Sequence, residues 1–108
     1  MIGENGLVDE LKQQGIDSYG LEDNDKEFNY ENLIDLHDDV GAVVSGLDTK
    51  INYLKLSKAV QYLREKKEEI NEYKHLFIST NTDETFPYNE GRIVVGSGIS
   101  DHIELITQ

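Results

Sequence analysis

The side chains best suited to binding a small molecule lie in two polar stretches, each directly after an apolar segment. One stretch is Asp48–Asn52, after the valine-rich segment 40–46, and the other is Thr80–Pro87, after segment 75–79. Carboxylate and amide groups at strand ends can hydrogen-bond a ligand, while bulky neighbours form an apolar wall. In a parallel α/β sheet, both stretches would emerge at the edge where ligands bind. The candidate binding residues are Leu47, Asp48, Asn81, Asp83 and Phe86.

These residues also have structural interpretations. Asp and Asn side chains after a strand often accept hydrogen bonds from loop amides or cap the next helix, which is an alternative for Asp48 and Asn81. Phe86, a bulky residue before the only proline, could pack locally instead of contacting a ligand.

Other groups that could do chemistry lack the context that the chemistry needs. His37, His75 and His102 have neither HExxH spacing nor a nearby cysteine, so we expect no metal site. Ser45 and Ser97 lie outside any G-x-S-x-G elbow, which argues against a serine nucleophile.

The Gly96-Ser97-Gly98 sequence resembles part of a phosphate-binding loop. The third glycine and the GK[ST] sequence are missing, and no acidic residue can follow about 20 positions later. We interpret this segment as a flexible connection.

The net charge of −12 is unevenly distributed over the 108 residues. Residues 1–39 carry 12 acidic and 2 basic side chains, a net of −10, while residues 40–108 carry 10 acidic and 8 basic ones, a net of −2. Nucleic acids and anionic membranes are bound by neutralising phosphates, so neither is an expected partner. The acidic part is interpreted as a solvated surface, with a docking face for a basic partner as the alternative.

The chain length fits one domain. The absence of cysteine excludes disulfides and thiolate metal sites. No apolar run approaches the roughly 20 residues of a membrane helix, and we see no charged and apolar leader, so a cytoplasmic location is expected.

Hydrophobic periodicity predicts the elements of the first part of the chain. Residues 5–14 read as a helix with Asn5 as N-cap and Gly15 as C′ residue. A short strand is expected over Ile16–Leu21, then a charged loop at 22–29. Tyr30–His37 is predicted as a second helix.

The second part alternates strands and helices. The predicted elements are a buried strand over Val40–Gly46, a helix over Tyr53–Tyr73 capped by Asn52 or Thr49, a buried strand over His75–Ser79, a short strand over Arg92–Val95 and a final helix over Ile99–Thr107 begun by Ser100. The long helix would bury its apolar stripe and expose a charged face. The predicted stripe comprises Leu56, Ala59, Val60, Leu63 and Ile70, and the charged face Lys58, Arg64, Glu65, Lys66, Lys67, Glu68 and Glu69. This alternation predicts an α/β fold with a Rossmann-like, mainly parallel sheet flanked by helices.

The order and spacing of several blocks resemble one known domain. The blocks are Gly41–Val44 with Gly46-x-Asp48, Tyr53-x-Lys55-Leu56 with Ala59 and Leu63, Thr80-Asn81-x-Asp83 with Pro87, Gly91-Arg92 and Gly96-x-Gly98, preceded by Ile2-Gly3, Gly6-Leu7, Glu10-Leu11 and Gly15. This pattern is similar to the cap domain of haloacid dehalogenase phosphatases of the phosphoglycolate, pyridoxal and 4-nitrophenyl phosphatase group. It covers about nine-tenths of the chain.

The resemblance implies a module that selects the leaving group of a small phosphomonoester for a catalytic core. In the family, the core supplies two aspartates, a lysine and Mg²⁺, so residues 1–108 are expected to be a single cap-like domain, without a cofactor of its own and inactive alone. Pyridoxal phosphatases place Tyr and His at the positions of Leu47 and Phe86, so the apolar residues here favour the phosphoglycolate type.

Two further expectations follow from the resemblance. Asp23-x-Asp25 lacks the apolar strand and Gly-Thr of the family's catalytic motif, and it fails as a calcium loop because Phe28 and Ile34 stand where Gly and Glu are needed.

Related caps have a complete strand before the Ile-Gly pair, so the first strand is expected to be truncated. Its exposed edge makes a homodimer possible. The alternative functions are an acidic interaction module that reuses the cap fold and an unrelated α/β domain that binds a small ligand.

Overall fold

The computed structural model describes residues 1–64, 66–67, 72–73, 76–81 and 83–107. The helices are α1 (Asn5–Gln13), α2 (Tyr30–Ile34), α3 (Tyr53–Arg64) and α4 (Ile99–Thr107), with short 3₁₀ turns at Leu21–Asp23 and Asn89–Gly91. The strands are β1 (Ala42–Ser45), β2 (Lys66–Lys67), β3 (Glu72–Tyr73), β4 (Leu76–Ser79), β5 (Thr85–Pro87) and β6 (Ile93–Val95). The predicted α/β fold is confirmed.

The parallel pair of β1 and β4 is the centre of the fold. Ala42 aligns with Leu76 and Ser45 with Ser79. On the other edge of β1, Ile2 forms a parallel bridge with Ser45, donating from its amide to the Val44 carbonyl over 2.8 Å. Two antiparallel pairs, β2–β3 and β5–β6, complete the described strands.

A small apolar core holds α3 and α4 to the parallel strands. Its buried members are Ile2, Val43, Ala59, Leu63 and Ile103, with Leu56, Tyr62 and Phe77 packed against them. Burial of each Val, Leu or Ile side chain contributes about 1.5–3 kcal/mol. The position of α3 is therefore fixed by apolar contacts along its length.

Local signals set several helix ends as predicted. After α1, Gly15 has φ 77° and donates to the Lys12 carbonyl, while Ile16 donates to Leu11, which is a Schellman motif. The start of α3 is capped by Asn52, whose Oδ1 accepts from the Lys55 amide at 2.8 Å. The N-cap residue of α1 is Glu4 rather than the predicted Asn5.

One predicted strand does not form, and two predicted helices end earlier than expected. Residues 16–20 form no regular strand, and the chain turns at Gly20 (φ 152°) into the 3₁₀ turn. The second helix stops at Ile34. The third stops at Arg64 instead of Tyr73, because Lys66–Lys67 pairs with Glu72–Tyr73.

The C-terminal part departs further from the prediction. Leu76 and Ile78 of β4 are 68% and 49% exposed, so this strand is not buried on both faces. The polar loop contains strand β5, because Phe86 pairs with Val94 of β6. The predicted start of β4, His75, lies outside the described residues.

The Gly96–Gly98 segment is packed tightly rather than free. A Cβ atom on Gly96 would lie 2.4 Å from the Asp83 carbonyl oxygen. On Gly98 it would lie 2.8 Å from the Glu84 Cα. Both contacts require glycine, so the prediction of a flexible connection is wrong.

None of the helices in the described part of the chain is long and apolar enough to cross a membrane.

Candidate functional site

The turns after β1 and β4 meet at the same edge of the sheet, as the parallel register requires. The Thr80 amide donates to the Ser45 carbonyl over 2.9 Å, which extends the ladder by one residue. A Cβ atom on Gly46 would lie 2.9 Å from Thr80 Oγ1, so the two segments of backbone approach closely there. Leu47 and Asp48 therefore lie beside the turn that contains Asn81.

Asp48 is buried and fully engaged by the chain itself. Its Oδ1 accepts from the Lys50 amide at 2.9 Å, and its Oδ2 pairs with Lys55 Nζ. The side chains of Asp48 and Lys55 are 2% and 1% exposed. The sequence left open whether Asp48 binds a ligand or has a structural role. In this conformation its role is structural.

A second buried pair lies one helical turn further along α3. Lys58 Nζ donates to both carboxylate oxygens of Asp23, at 3.2 and 3.0 Å. Asn52 Nδ2 donates to the carbonyls of Asp23 and Asn24, and Lys55 Nζ donates to Asn24 Oδ1. The first turns of α3 thus bind both the 23–24 segment and the turn after β1.

The sequence analysis placed Lys58 on a solvated face, and the structure overturns this. Lys55 and Lys58 are 3% and 7% exposed, in a buried stripe with Leu54, Ala59 and Leu63. For Lys55 a signal was present, because positions 55, 59 and 63 repeat at helical spacing. Lysine at such a position is buried only with a partner.

The turn after β4 is exposed and held by local bonds. Thr80 Oγ1 donates to Asn81 Oδ1, and Asn81 Nδ2 donates to Asp83 Oδ2, each at 3.0 Å. Asn81 and Asp83 are both exposed. Their polar groups can reach a ligand without breaking a buried interaction.

The two apolar candidates are both half-buried. Leu47 lies between Gly46 and Asp48 in the first turn. Phe86 lies on β5, in the hairpin that follows the second turn, opposite Val94. A shared apolar wall made by Leu47 and Phe86 remains a prediction.

A cavity of about 440 Å³ lies elsewhere, between residues 16–23, β1 and α3. Its walls include Ile2, Val43 and Ala59, together with Tyr19 and Tyr62. None of the five candidate residues lines it. The sequence does not indicate this cavity, because its walls come from four separate parts of the chain.

His37, one of the histidines considered above, is engaged at the rim of this cavity. Its ring stacks on Tyr19 with centroids 3.6 Å apart and planes 7° apart. Tyr19 donates its hydroxyl to Asp39, and this bond raises the pKa of Tyr19 above its usual value of 10.0. Within the described residues, no three His, Cys, Asp or Glu side chains are grouped to hold a metal.

Comparison with known proteins points to phosphatases. No family model matches the chain. It is 35% identical over 102 residues to the 4-nitrophenylphosphatase of Schizosaccharomyces pombe, covering 91% of this chain and 32% of that protein. The glycerol-3-phosphate phosphatases of Rattus norvegicus and Homo sapiens are each 32% identical, over 101 and 103 residues, covering 91% of this chain and 29% of theirs. The chain spans about a third of the length of these curated relatives, and is similar to a segment of proteins named as phosphatases.

Proposed function

We propose that residues 1–108 are a single substrate-specificity cap module of a haloacid dehalogenase-type phosphatase. The whole phosphatase would act on small phosphomonoesters of the phosphoglycolate or 4-nitrophenyl phosphate type, and the module would be inactive alone. The observation that carries this proposal is the match of 91% of the chain to about a third of proteins named as phosphatases.

The chemistry is assigned to a catalytic core. The sequence contains no Asp-x-Asp-Gly-Thr motif. Mg²⁺ would be held by that core, as the resemblance to the family implies. Such a module contributes by closing over the substrate, excluding water and contacting the leaving group.

Substrate contacts are assigned to the exposed half of the sheet edge. Asn81 and Asp83 offer an amide and a carboxylate that are accessible to a ligand. Leu47 and Phe86 would supply apolar contacts, which in such pockets are worth about 1–3 kcal/mol each in discrimination between substrates. Asp48 would hold the first turn in place, since both of its oxygens are engaged.

The first test is a phosphatase assay of the purified chain with 4-nitrophenyl phosphate and Mg²⁺. No release of 4-nitrophenolate above the blank is expected from the chain alone. Turnover is expected when a phosphatase core of the matched relatives is fused to the chain or added separately. Turnover by the chain alone that is abolished by EDTA and survives repeated purification would contradict the proposal.

The second test concerns the assigned contact residues in the fused protein. Phe86→Ala should raise KM for 4-nitrophenyl phosphate by about tenfold, which corresponds to about 1.4 kcal/mol. Tyr88→Ala is the matched control, because Tyr88 is an aromatic residue of the same hairpin that is 65% exposed. Equal effects of the two variants would remove Phe86 from the site.

An acidic protein-interaction module that reuses the fold is the second candidate. The surface of residues 22–39 exposes Phe28 (46%), Tyr30 (74%) and Ile34 (55%) among acidic side chains, which is a composition suited to a basic partner. A pulldown that retains a basic partner through residues 22–39 and is unaffected by Asn81→Ala and Phe86→Ala would favour this function.

A further inference from the structure

The buried ion pair of Asp48 and Lys55 joins the turn after β1 to helix α3. Without Lys55, Asp48 would accept only the local hydrogen bond that the Lys50 amide donates to its Oδ1. The second oxygen is held by Lys55, which lies in the first turn of α3. The core fixes α3 in turn through Ala59 and Leu63.

The Lys55 ammonium group is the point where three segments meet. It donates to Asp48 of the turn after β1 and, over 2.8 Å, to Asn24 Oδ1. Asn52 adds two bonds from its Nδ2 to the carbonyls of residues 23 and 24. Because the lysine side chain is only 1% exposed, water competes little for these bonds.

We propose that Lys55 is a positioning residue that acts through Asp48 to fix the turn after β1, and with it Leu47 at the sheet edge. The substrate part of this inference rests on the proposed function, in which Leu47 contacts the leaving group. The positioning part rests only on the contacts described above.

Lys58 provides a matched control on the same helix. It is also a buried lysine paired with one aspartate, at a side-chain exposure of 9%. Its ammonium group, however, binds Asp23 and not the turn after β1. Lys55→Met and Lys58→Met therefore remove equivalent charges, and only the first releases Asp48.

The positioning part is tested by amide hydrogen exchange on the 108-residue chain, followed by NMR. The observable is the exchange rate of the Lys50 amide divided by that of the Thr80 amide, which extends the β1–β4 ladder. The exchange is measured under strongly native conditions, where both amides exchange through local opening and a change in global stability alters neither rate. Lys55→Met should raise the ratio about tenfold, the size expected for losing a bond to a charged group, and Lys58→Met should leave it unchanged.

An unchanged ratio in Lys55→Met, or an equal rise in both variants, would overturn the positioning role. If Lys55→Met does not fold, Asp48→Asn takes its place, because an amide oxygen can still accept from Lys50 while the ion pair is lost. Asp48→Asn should raise the ratio about threefold, because it weakens the contact with Lys55 without leaving a buried carboxylate unpaired, and no rise would again overturn the role.

The substrate part is tested in the protein fused to a phosphatase core. Lys55→Met should raise KM by about tenfold with kcat changed by less than about twofold, and Lys58→Met should change neither. A changed exchange ratio with unchanged KM would retain Lys55 as an anchor and overturn the role of Leu47. Phe86→Ala would then decide whether the proposed function survives without Leu47.

Discussion

The turn after β1 and the turn after β4 lie side by side at one sheet edge but are held in different ways. In the first, Asp48 is 2% exposed at its side chain and is bound to a buried lysine. In the second, Asn81 and Asp83 are exposed and bind each other over 3.0 Å. Similar residue types thus serve as a scaffold in one turn and as accessible polar groups in the other.

The largest effect is expected where a buried carboxylate loses its partner. Lys55→Met removes the lysine that pairs with Asp48, whose side chain is only 2% exposed, and should lower the free energy of unfolding by about 3–5 kcal/mol. Urea denaturation followed by circular dichroism measures this change. Lys12→Met, at an exposed lysine of α1, is the control and should change it by less than about 0.5 kcal/mol.

A loss of less than about 1 kcal/mol in Lys55→Met would mean that the pair of Asp48 and Lys55 behaves as a surface ion pair. Asp48 and Lys55 would then not form a buried scaffold, and the contrast with the exposed turn after β4 would be wrong.

Two leucines test the same distinction in apolar packing. Leu54 of α3 is 1% exposed, so Leu54→Ala should lower the free energy of unfolding by about 2–5 kcal/mol. Leu76 of β4 is 68% exposed, so Leu76→Ala should change it by about 0.5 kcal/mol or less. Urea denaturation of both variants is the measurement. A similar loss in both would show that Leu76 is covered in solution.

The caps of two helices provide a smaller and sharper test. Asn52→Ala removes the cap of α3 together with the bonds to residues 23 and 24, and should cost about 1–2 kcal/mol. Asn29 caps the five-residue helix α2, which buries no residue, so Asn29→Ala should cost about 0.5 kcal/mol. Thermal unfolding of the two variants compares them, and an equal cost would contradict a linking role for Asn52.

Features set by neighbouring residues could be predicted from the sequence. The end of α1 follows from Gly15, whose backbone adopts a positive φ, and the start of α3 follows from the Asn52 side chain. The shared edge of the two turns follows from the parallel order of two apolar strands.

Features set by distant pairing could not be predicted. Lys58 was assigned to solvent because its partner Asp23 lies 35 residues away. The end of α3 at Arg64 depends on pairing between β2 and β3, and the strand at Phe86 on pairing with Val94. No local periodicity reports such contacts, and the same holds for the cavity beside β1.

The most direct test of the proposed division is a pair of substitutions on the exposed turn, measured in the fused phosphatase. Asn81→Ala and Asp83→Ala should change the free energy of unfolding by less than about 0.5 kcal/mol, because their bonds are exposed. They should nevertheless change the ratio of kcat/KM for 4-nitrophenyl phosphate to that for glycerol 3-phosphate by about fivefold or more, that is, by about 1 kcal/mol. An unchanged ratio with unchanged stability would contradict the assignment of this turn to substrate selection.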